Sequence, residues 1–389
     1  MKLGFVYAGQ GSQHVGMGRD FYDCFSEFAE TMDYASEYVR DVTEFDVKDL
    51  CFNGPVEKLS QTRYTQPCMV SFAVGVTKLL KKAGITPEYV CGLSLGEYSA
   101  LYAADVLEEG ELINLTAYRG KVMEEAVTGR EVKMAAVLMM DRDVIRECCE
   151  KASERVSSTE KYVVEIANYN CKGQIVISGD ACAVDEAIAL LKEAGARKIV
   201  PLAVSGPFHT SLMKPAGDKL RERFKDVKFK KSTACIIHNV TGRPMEKGES
   251  LPMLLEKQVQ SSVLMEDSIR YMAEEGVDTI IEIGPGNTIS RFVKKTAPDI
   301  TVMSIDTVDD YKKVVETLGG KYEQIKFCDY WGYERASAFH VMREEYGYPV
   351  LSIDRPYVVG SSGQIRTRIQ AFVESLEIKK INKSTEQSV

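Results

Sequence analysis

The chain has 389 residues, of which 44% are hydrophobic and 27% charged, and it carries a net charge of −8. That length can bury a large core and predicts two or three domains of a soluble globular protein. The negative charge, with no basic stripe interleaved with aromatics, argues against a nucleic-acid surface. The ten scattered cysteines include no Cys-x-x-Cys pair, so neither a zinc site nor a disulfide framework is suggested, and no apolar run approaches a membrane span. The expectation is a cytoplasmic protein with reduced thiols, no metal and no bound cofactor.

Residues 2–8 predict a buried first strand, too short in its apolar part for a signal peptide, ending at the glycine-rich loop Gly9-Gln10-Gly11-Ser12-Gln13. A helix is expected at about 66–84, followed by the short apolar run Tyr89-Val90-Cys91. That run meets Gly92-Leu93-Ser94-Leu95-Gly96, and helices follow at about 96–104 and 110–127. From about 132 to 203 the pattern reads as strand (Met134–Met139), helix (142–154), strand pair (162–167 and 174–178, joined by 168–173), helix (181–195) and strand (198–202). That βαββαβ order predicts a ferredoxin-like unit inserted into a larger α/β domain. Strands at about 233–238 and 278–283, a helix at about 265–275 and the turn Gly284-Pro285-Gly286 indicate a mostly parallel sheet. Beyond 310 a further helix, a strand at 349–353 and a helix from 363 to about 376 are expected, with frayed residues from 382 onward. The predicted division is 1–130 and 204–310 for an α/β-hydrolase-like large domain, 131–203 for the small domain, and 311–389 for a C-terminal extension.

A serine between two glycines at a strand-to-helix turn is the pattern of a nucleophile elbow, which lifts the hydroxyl clear of the backbone and aims free helical N–H groups at it. Side chains at Gly92 and Gly96 would block the turn and its neighbours. An ordinary turn with a helix-capping serine has the same pentapeptide. A nucleophilic Ser94 needs a base, and among four histidines His209 stands in the best turn context, Gly206-Pro207-Phe208-His209-Thr210. His14 and His238 read as structural. No loop supplies an obvious triad aspartate between Ser94 and His209, and a backbone carbonyl can orient an imidazole equally well. The Leu95 N–H and the loop holding Gln10 are candidate oxyanion donors. The rival dinucleotide fingerprint starts at Gly9-x-Gly11 but has His14 at its third glycine position. Arg119 reads first as a solvated helix residue, with a bidentate partner for a substrate carboxylate as the functional alternative.

Six motifs stand in order: Gly9-Gln10-Gly11-Ser12-Gln13, Gly92-Leu93-Ser94-Leu95-Gly96-Glu97, Arg119-Gly120-Lys121-Val122-Met123, Asn168-Tyr169-Asn170, Gly206-Pro207-Phe208-His209 and Ile283-Gly284-Pro285-Gly286. Together they resemble the malonyl-CoA:acyl carrier protein transacylases over residues 1 to about 310. The resemblance implies Ser94 as nucleophile, His209 as base, Gln10 and the Leu95 amide as oxyanion hole, and Arg119 as clamp on the malonyl carboxylate. It also implies a supporting role for Asn168, and a carbonyl near Ser262-Val263-Leu264 that orients His209. Phe208 resembles the malonyl-selecting version of its position. Leu93 departs from the family's usual histidine, and Ala8 from its usual proline. The implied partners are malonyl-CoA and an acyl carrier protein, with no nucleic acid and no membrane, and a monomer is the expected state.

The C-terminal segments around Cys328, Pro349 and Gly363–Phe372 are similar to the end of a 2-hydroxyacyl-CoA dehydratase subunit. A lone Cys328 supplies too few ligands for an iron–sulfur cluster, so a structural or docking remnant is expected. The alternatives are a serine thioesterase or hydrolase on the same elbow, and a non-catalytic subunit docking through its tail.

Overall fold

The computed structural model describes residues 1–43, 45–156, 162–202 and 206–321. Met1–Asp20 and Glu27–Tyr322 form one compact unit. The expected tail strand and helix, the dehydratase-like segments and Cys328 lie outside the described residues.

The chain opens with β1 (Leu3–Tyr7), then α1 (Arg19–Cys24), α2 (Ser26–Thr43), α3 (Val47–Asn53), α4 (Val56–Leu59) and α5 (Thr62–Lys82). β2 (Tyr89–Gly92) leads into α6 (Leu95–Ala103) and α7 (Glu109–Glu125). The middle holds β3 (Val132–Leu138), α8 (Arg142–Val156), β4 (Val164–Cys171), β5 (Gln174–Asp180), α9 (Ala181–Glu193) and β6 (Lys198–Leu202). Then come α10 (Lys214–Phe224), β7 (Cys235–Ile236), α11 (Leu251–Gln258), β8 (Val263–Leu264), α12 (Met265–Glu274), β9 (Thr279–Ile283), α13 (Thr288–Thr296), β10 (Thr301–Ile305) and α14 (Val308–Thr317).

Two sheets organise these elements into a mixed α/β fold. The first has the order β10-β9-β1-β2-β7, every neighbour parallel. β1 is buried along its whole length, as a central parallel strand covered on both faces must be. In register, Tyr7 stands opposite Gly92 on one side and Ile283 on the other. The carboxyl ends of β1, β2 and β9 therefore finish level, and the loops at 8–13, 93–95 and 284–287 become neighbours. Open parallel sheets place their sites at such ends.

The second sheet has the order β6-β3-β5-β4-β8, antiparallel except for the last pair. Successive strand residues face opposite sides. Ala135, Val137, Ile175 and Ile177 therefore bury against Ile145, Cys149, Val184 and Leu191 of α8 and α9, while Met134, Val176, Asn168 and Asn170 face a cavity.

Several expectations need correction. Residues 168–171, expected as loop, are strand, and only Lys172-Gly173 turns, with Gly173 at φ 77°. Asparagine's weak strand preference is overridden by pairing to β5, with register shifts on either side, and by the parallel pairing of Asn168 with Val263. The strand expected at 233–238 is only Cys235–Ile236. Helices α1 to α4, α10, α11 and α13, and strands β8 and β10, had no assignment from pattern. The boundary expected at 310 falls inside α14, whose Tyr311 is buried and donates to the Leu79 carbonyl at 3.1 Å. No helix among the described residues is long and apolar enough to cross a membrane.

The glycines of the elbow are sterically required. A Cβ on Gly92 would lie 2.0 Å from the carbonyl carbon of Gly96, and one on Gly96 would lie 2.1 Å from the Tyr7 carbonyl oxygen. Both obstacles are backbone and cannot swing aside. Gly96→Ala should therefore destabilise by about 3 kcal/mol or more, whereas Gly84→Ala, with open space but φ 80°, should cost only about 1 kcal/mol. Thermal denaturation of the two variants checks the ordering.

Candidate active site

The backbone at Ser94 has φ 55° and ψ −101°, a conformation that L residues rarely adopt. It is one of four described non-glycine residues at positive φ, and His209, at 61°, is another. The two strained residues meet. His209 Nε2 lies 2.7 Å from Ser94 Oγ, and His209 Nδ1 lies 2.8 Å from the Gln258 carbonyl. With Nδ1–H donating to that carbonyl, Nε2 is the acceptor for the serine hydroxyl.

The orienting carbonyl comes from Gln258 and not from 262–264. Gln258 is the last residue of α11, where carbonyls have no partner within the helix. It takes the ring nitrogen of His209, and the Val259 carbonyl takes the His209 backbone N–H at 3.2 Å. Residues 263–264 are spent instead on pairing β8 with β4, and Ser262 Oγ donates to the Ile166 carbonyl.

Arg119 is not on the surface. It is 1% exposed, and its guanidinium sits 5.1 Å from the Tyr98 ring centroid. Nη1 donates to Gln66 Oε1 at 2.9 Å, and Nη2 donates to Gln258 Oε1 at 3.0 Å and to Ser94 Oγ at 3.2 Å. Nε has no partner, and among the described residues no carboxylate pairs with it. Burial lowers the Arg119 pKa from its ordinary value, offset in part by Tyr98 and Glu97. Burial, and next the Arg119 charge, push His209 down to about 4, so its imidazole is neutral at ordinary pH.

All seven residues singled out from the sequence line one cavity of about 420 Å³: Gln10, Ser94, Leu95, Arg119, Asn168, Phe208 and His209. Leu93, Met123, Met134, Val176 and Leu202 give it apolar walls. The Leu95 N–H opens α6 and, like the Gln10 N–H, has no backbone acceptor among the described residues. Gln10 Nε2 donates to Thr62 Oγ1 at 3.0 Å, which anchors its loop. The Phe208 ring fills the space a side chain on Gly206 would need, 2.5 Å from that Cβ position. His14 is outside the cavity and meets Asp306 at 3.2 Å, and His238 is buried against Glu97 at 2.7 Å. Among the described residues no group of three His, Cys, Asp or Glu side chains could hold a metal ion.

Three contributors carried no role from sequence. Asn239 accepts the Ser94 N–H at 2.7 Å and donates to the Gly92 carbonyl at 2.7 Å. Gln258 Nε2 donates to the Ser94 carbonyl at 2.8 Å and to Glu97 at 2.9 Å. Gln66 holds Arg119. Of these three the sequence reading placed only Gln66, at the start of an expected helix, because the partners of all three lie 53 to 164 positions away. Chemically, the constellation can deprotonate a hydroxyl and hold an anionic group beside it.

Residues 4–323 match the acyl transferase domain family. The chain is 38% identical over 317 residues to the malonyl CoA-acyl carrier protein transacylase of Bacillus subtilis, covering 82% of this chain and 97% of that one. Among solved structures it is similar to the MCAT of Streptococcus pneumoniae, at 43% identity and TM-score 0.75, covering 81% of this chain and all of that one. It is also similar to the malonyl-transacylase PlMCAT, solved with the type II polyketide acyl carrier protein AntF, at 30% identity and TM-score 0.76, covering 82% of this chain and 100% of that one. With a family match over most of its length and with Ser94, His209 and a buried Arg119 meeting at one cavity, the chain belongs to the malonyl-CoA:acyl carrier protein transacylases, acyltransferases that move a malonyl group onto acyl carrier protein.

Proposed function

We propose that Ser94 is the nucleophile of a two-step transfer in which malonyl-CoA is the donor and the phosphopantetheine thiol of an acyl carrier protein the acceptor. His209 Nε2 takes the Ser94 proton as Oγ bonds to the thioester carbonyl carbon. The N–H groups of Leu95 and Gln10 hold the oxyanion. Collapse breaks the C–S bond, and the proton on His209 goes to the departing CoA thiolate. The carrier thiol then gives its proton to His209 and attacks the malonyl-serine, and the proton returns to Ser94.

One observation carries this reading: a buried guanidinium beside the nucleophile, with a free Nε and no carboxylate partner among the described residues. A cation left unpaired in an apolar-walled cavity is costly unless a ligand brings the counter-charge. A malonyl carboxylate on Arg119 brings it and fixes the acyl group. Asn168, buried on β4 at the cavity wall, supports the bound acyl chain.

The α/β-hydrolase-like description of the large unit (1–130 and 204–310) is favoured by an elbow at the end of a parallel strand. The ferredoxin-like description of 131–203 is favoured by the strand order β6-β3-β5-β4, with α8 and α9 on one face. A cytoplasmic location suits two soluble substrates.

Incubation with malonyl-CoA should add one malonyl group to Ser94 by intact mass and pass it to a pantetheine thiol; release of free malonate alone would favour a hydrolase. Inactivation by a neutral fluorophosphonate should stay flat from pH 8 to about 5. It should fall as protonation of His209 sets in near pH 4, and an acid limb near 6.5 would count against His209 as the base. Phe208→Ala should narrow the preference for malonyl-CoA over its methyl-branched homologue by about tenfold, measured as the ratio of kcat/KM values.

A further inference from the structure

We propose that the buried carboxylate of Glu97 is a positioning residue which, through the side-chain amide of Gln258, presets Arg119 for an anionic acyl group. The inference rests on the reading of Arg119 as the carboxylate clamp. Glu97 is 1% exposed in the first turn of α6, three positions after Ser94. Its Oε1 accepts from His238 Nδ1 at 2.7 Å, and its Oε2 accepts from the Asn239 N–H at 3.2 Å and from Gln258 Nε2 at 2.9 Å.

An amide has two ends of nearly equal size and opposite polarity. In the observed orientation, Gln258 Nε2 faces two acceptors, Glu97 Oε2 and the Ser94 carbonyl, while Oε1 faces the donor Arg119 Nη2. The flipped amide would set its oxygen against both of those oxygens and its NH₂ against the guanidinium. Glu97 therefore selects the flip that presents an acceptor to Arg119, and Gln66 Oε1 fixes the other terminal nitrogen.

The placement of the negative charge matters. A carboxylate paired directly with Arg119 would neutralise it and occupy the fork that a substrate carboxylate needs. One amide away, Glu97 orients the guanidinium without occupying its Nε, which stays unpartnered, while Nη2 reaches Ser94 Oγ at 3.2 Å. Orientation is transmitted, and the site for the substrate's charge remains open.

The test compares two reactions of Ser94 in the full-length protein: malonylation by malonyl-CoA, which uses Arg119 as an anion clamp, and phosphonylation by a neutral fluorophosphonate, which does not. Glu97→Met, near-isosteric but without acceptors, should lower the malonylation-to-phosphonylation rate ratio about tenfold or more. Glu97→Gln keeps an oxygen for Gln258, while His238 accepts through its other tautomer, and should hold the ratio within about twofold. An unchanged ratio in Glu97→Met, equal losses in both reactions, or a fall in Glu97→Gln as large as in Glu97→Met overturns the proposal. If Glu97→Met does not fold, Glu97→Asp, whose carboxylate is withdrawn by one methylene, must lower the ratio instead. Arg119→Ala in the same assay separates the two readings. No change there removes the clamp itself, whereas a fall there without one in the Glu97 variants removes only the positioning role.

Discussion

The site depends on holding Ser94 at a backbone conformation it would not adopt alone. Strain of this kind is of the order of 1–3 kcal/mol and persists only where the surroundings over-determine it. Here the N–H of Ser94 is taken by Asn239 Oδ1, its carbonyl by the Gln258 amide and the Glu97 N–H, and Gly96 N–H closes the turn onto the Leu93 carbonyl. The same turn is pressed against the end of β1, where Leu93 N–H donates to Tyr7 O at 2.9 Å and no side chain fits at Gly96. Level strand ends, glycine contacts and the exposed hydroxyl are one constraint seen at three scales.

Charge is arranged around that hydroxyl with unusual economy. Orienting His209 by a helix-terminal carbonyl leaves no aspartate among the described residues that line the cavity, and Arg119 meets no carboxylate there. In a buried cavity screening by water is weak, and both the attraction of Arg119 for a carboxylate and its depression of the His209 pKa are stronger than they would be at the surface. The imidazole is kept neutral and ready to accept a proton.

The cavity itself belongs to neither sheet. The first sheet supplies the nucleophile and the glycine loop at its strand ends, and the second supplies Asn168, Met134 and Val176 from the face not covered by α8 and α9. β8, at the edge of the second sheet, pairs with β4 a few residues after the carbonyls of Gln258 and Val259 that hold His209, and its Leu264 N–H donates to the Asn239 carbonyl just beyond β7 at 2.8 Å. Leu93 packs its side chain against the apolar cluster around β2, β9 and α13, while its backbone makes the contacts of the turn. A leucine satisfies both demands.

Local pattern in the sequence was enough to read β1, β2 and β9 of the parallel sheet, the βαββαβ middle and the elbow glycines, and to single out Ser94 and His209, whose side chains the fold brings within 2.7 Å. Those features come from short-range spacing and from steric rules that act within a few residues. Tertiary structure alone decided that Arg119 is buried beside the nucleophile, that the imidazole is held by Gln258 and not by residues 262–264, and that Asn168 lies on a strand. It also decided that Asn239, Gln66 and Glu97 complete the site. Each of these is a hydrogen bond or burial between positions far apart in the chain, and a side chain's partner across such a distance is chosen by packing, which no local pattern records.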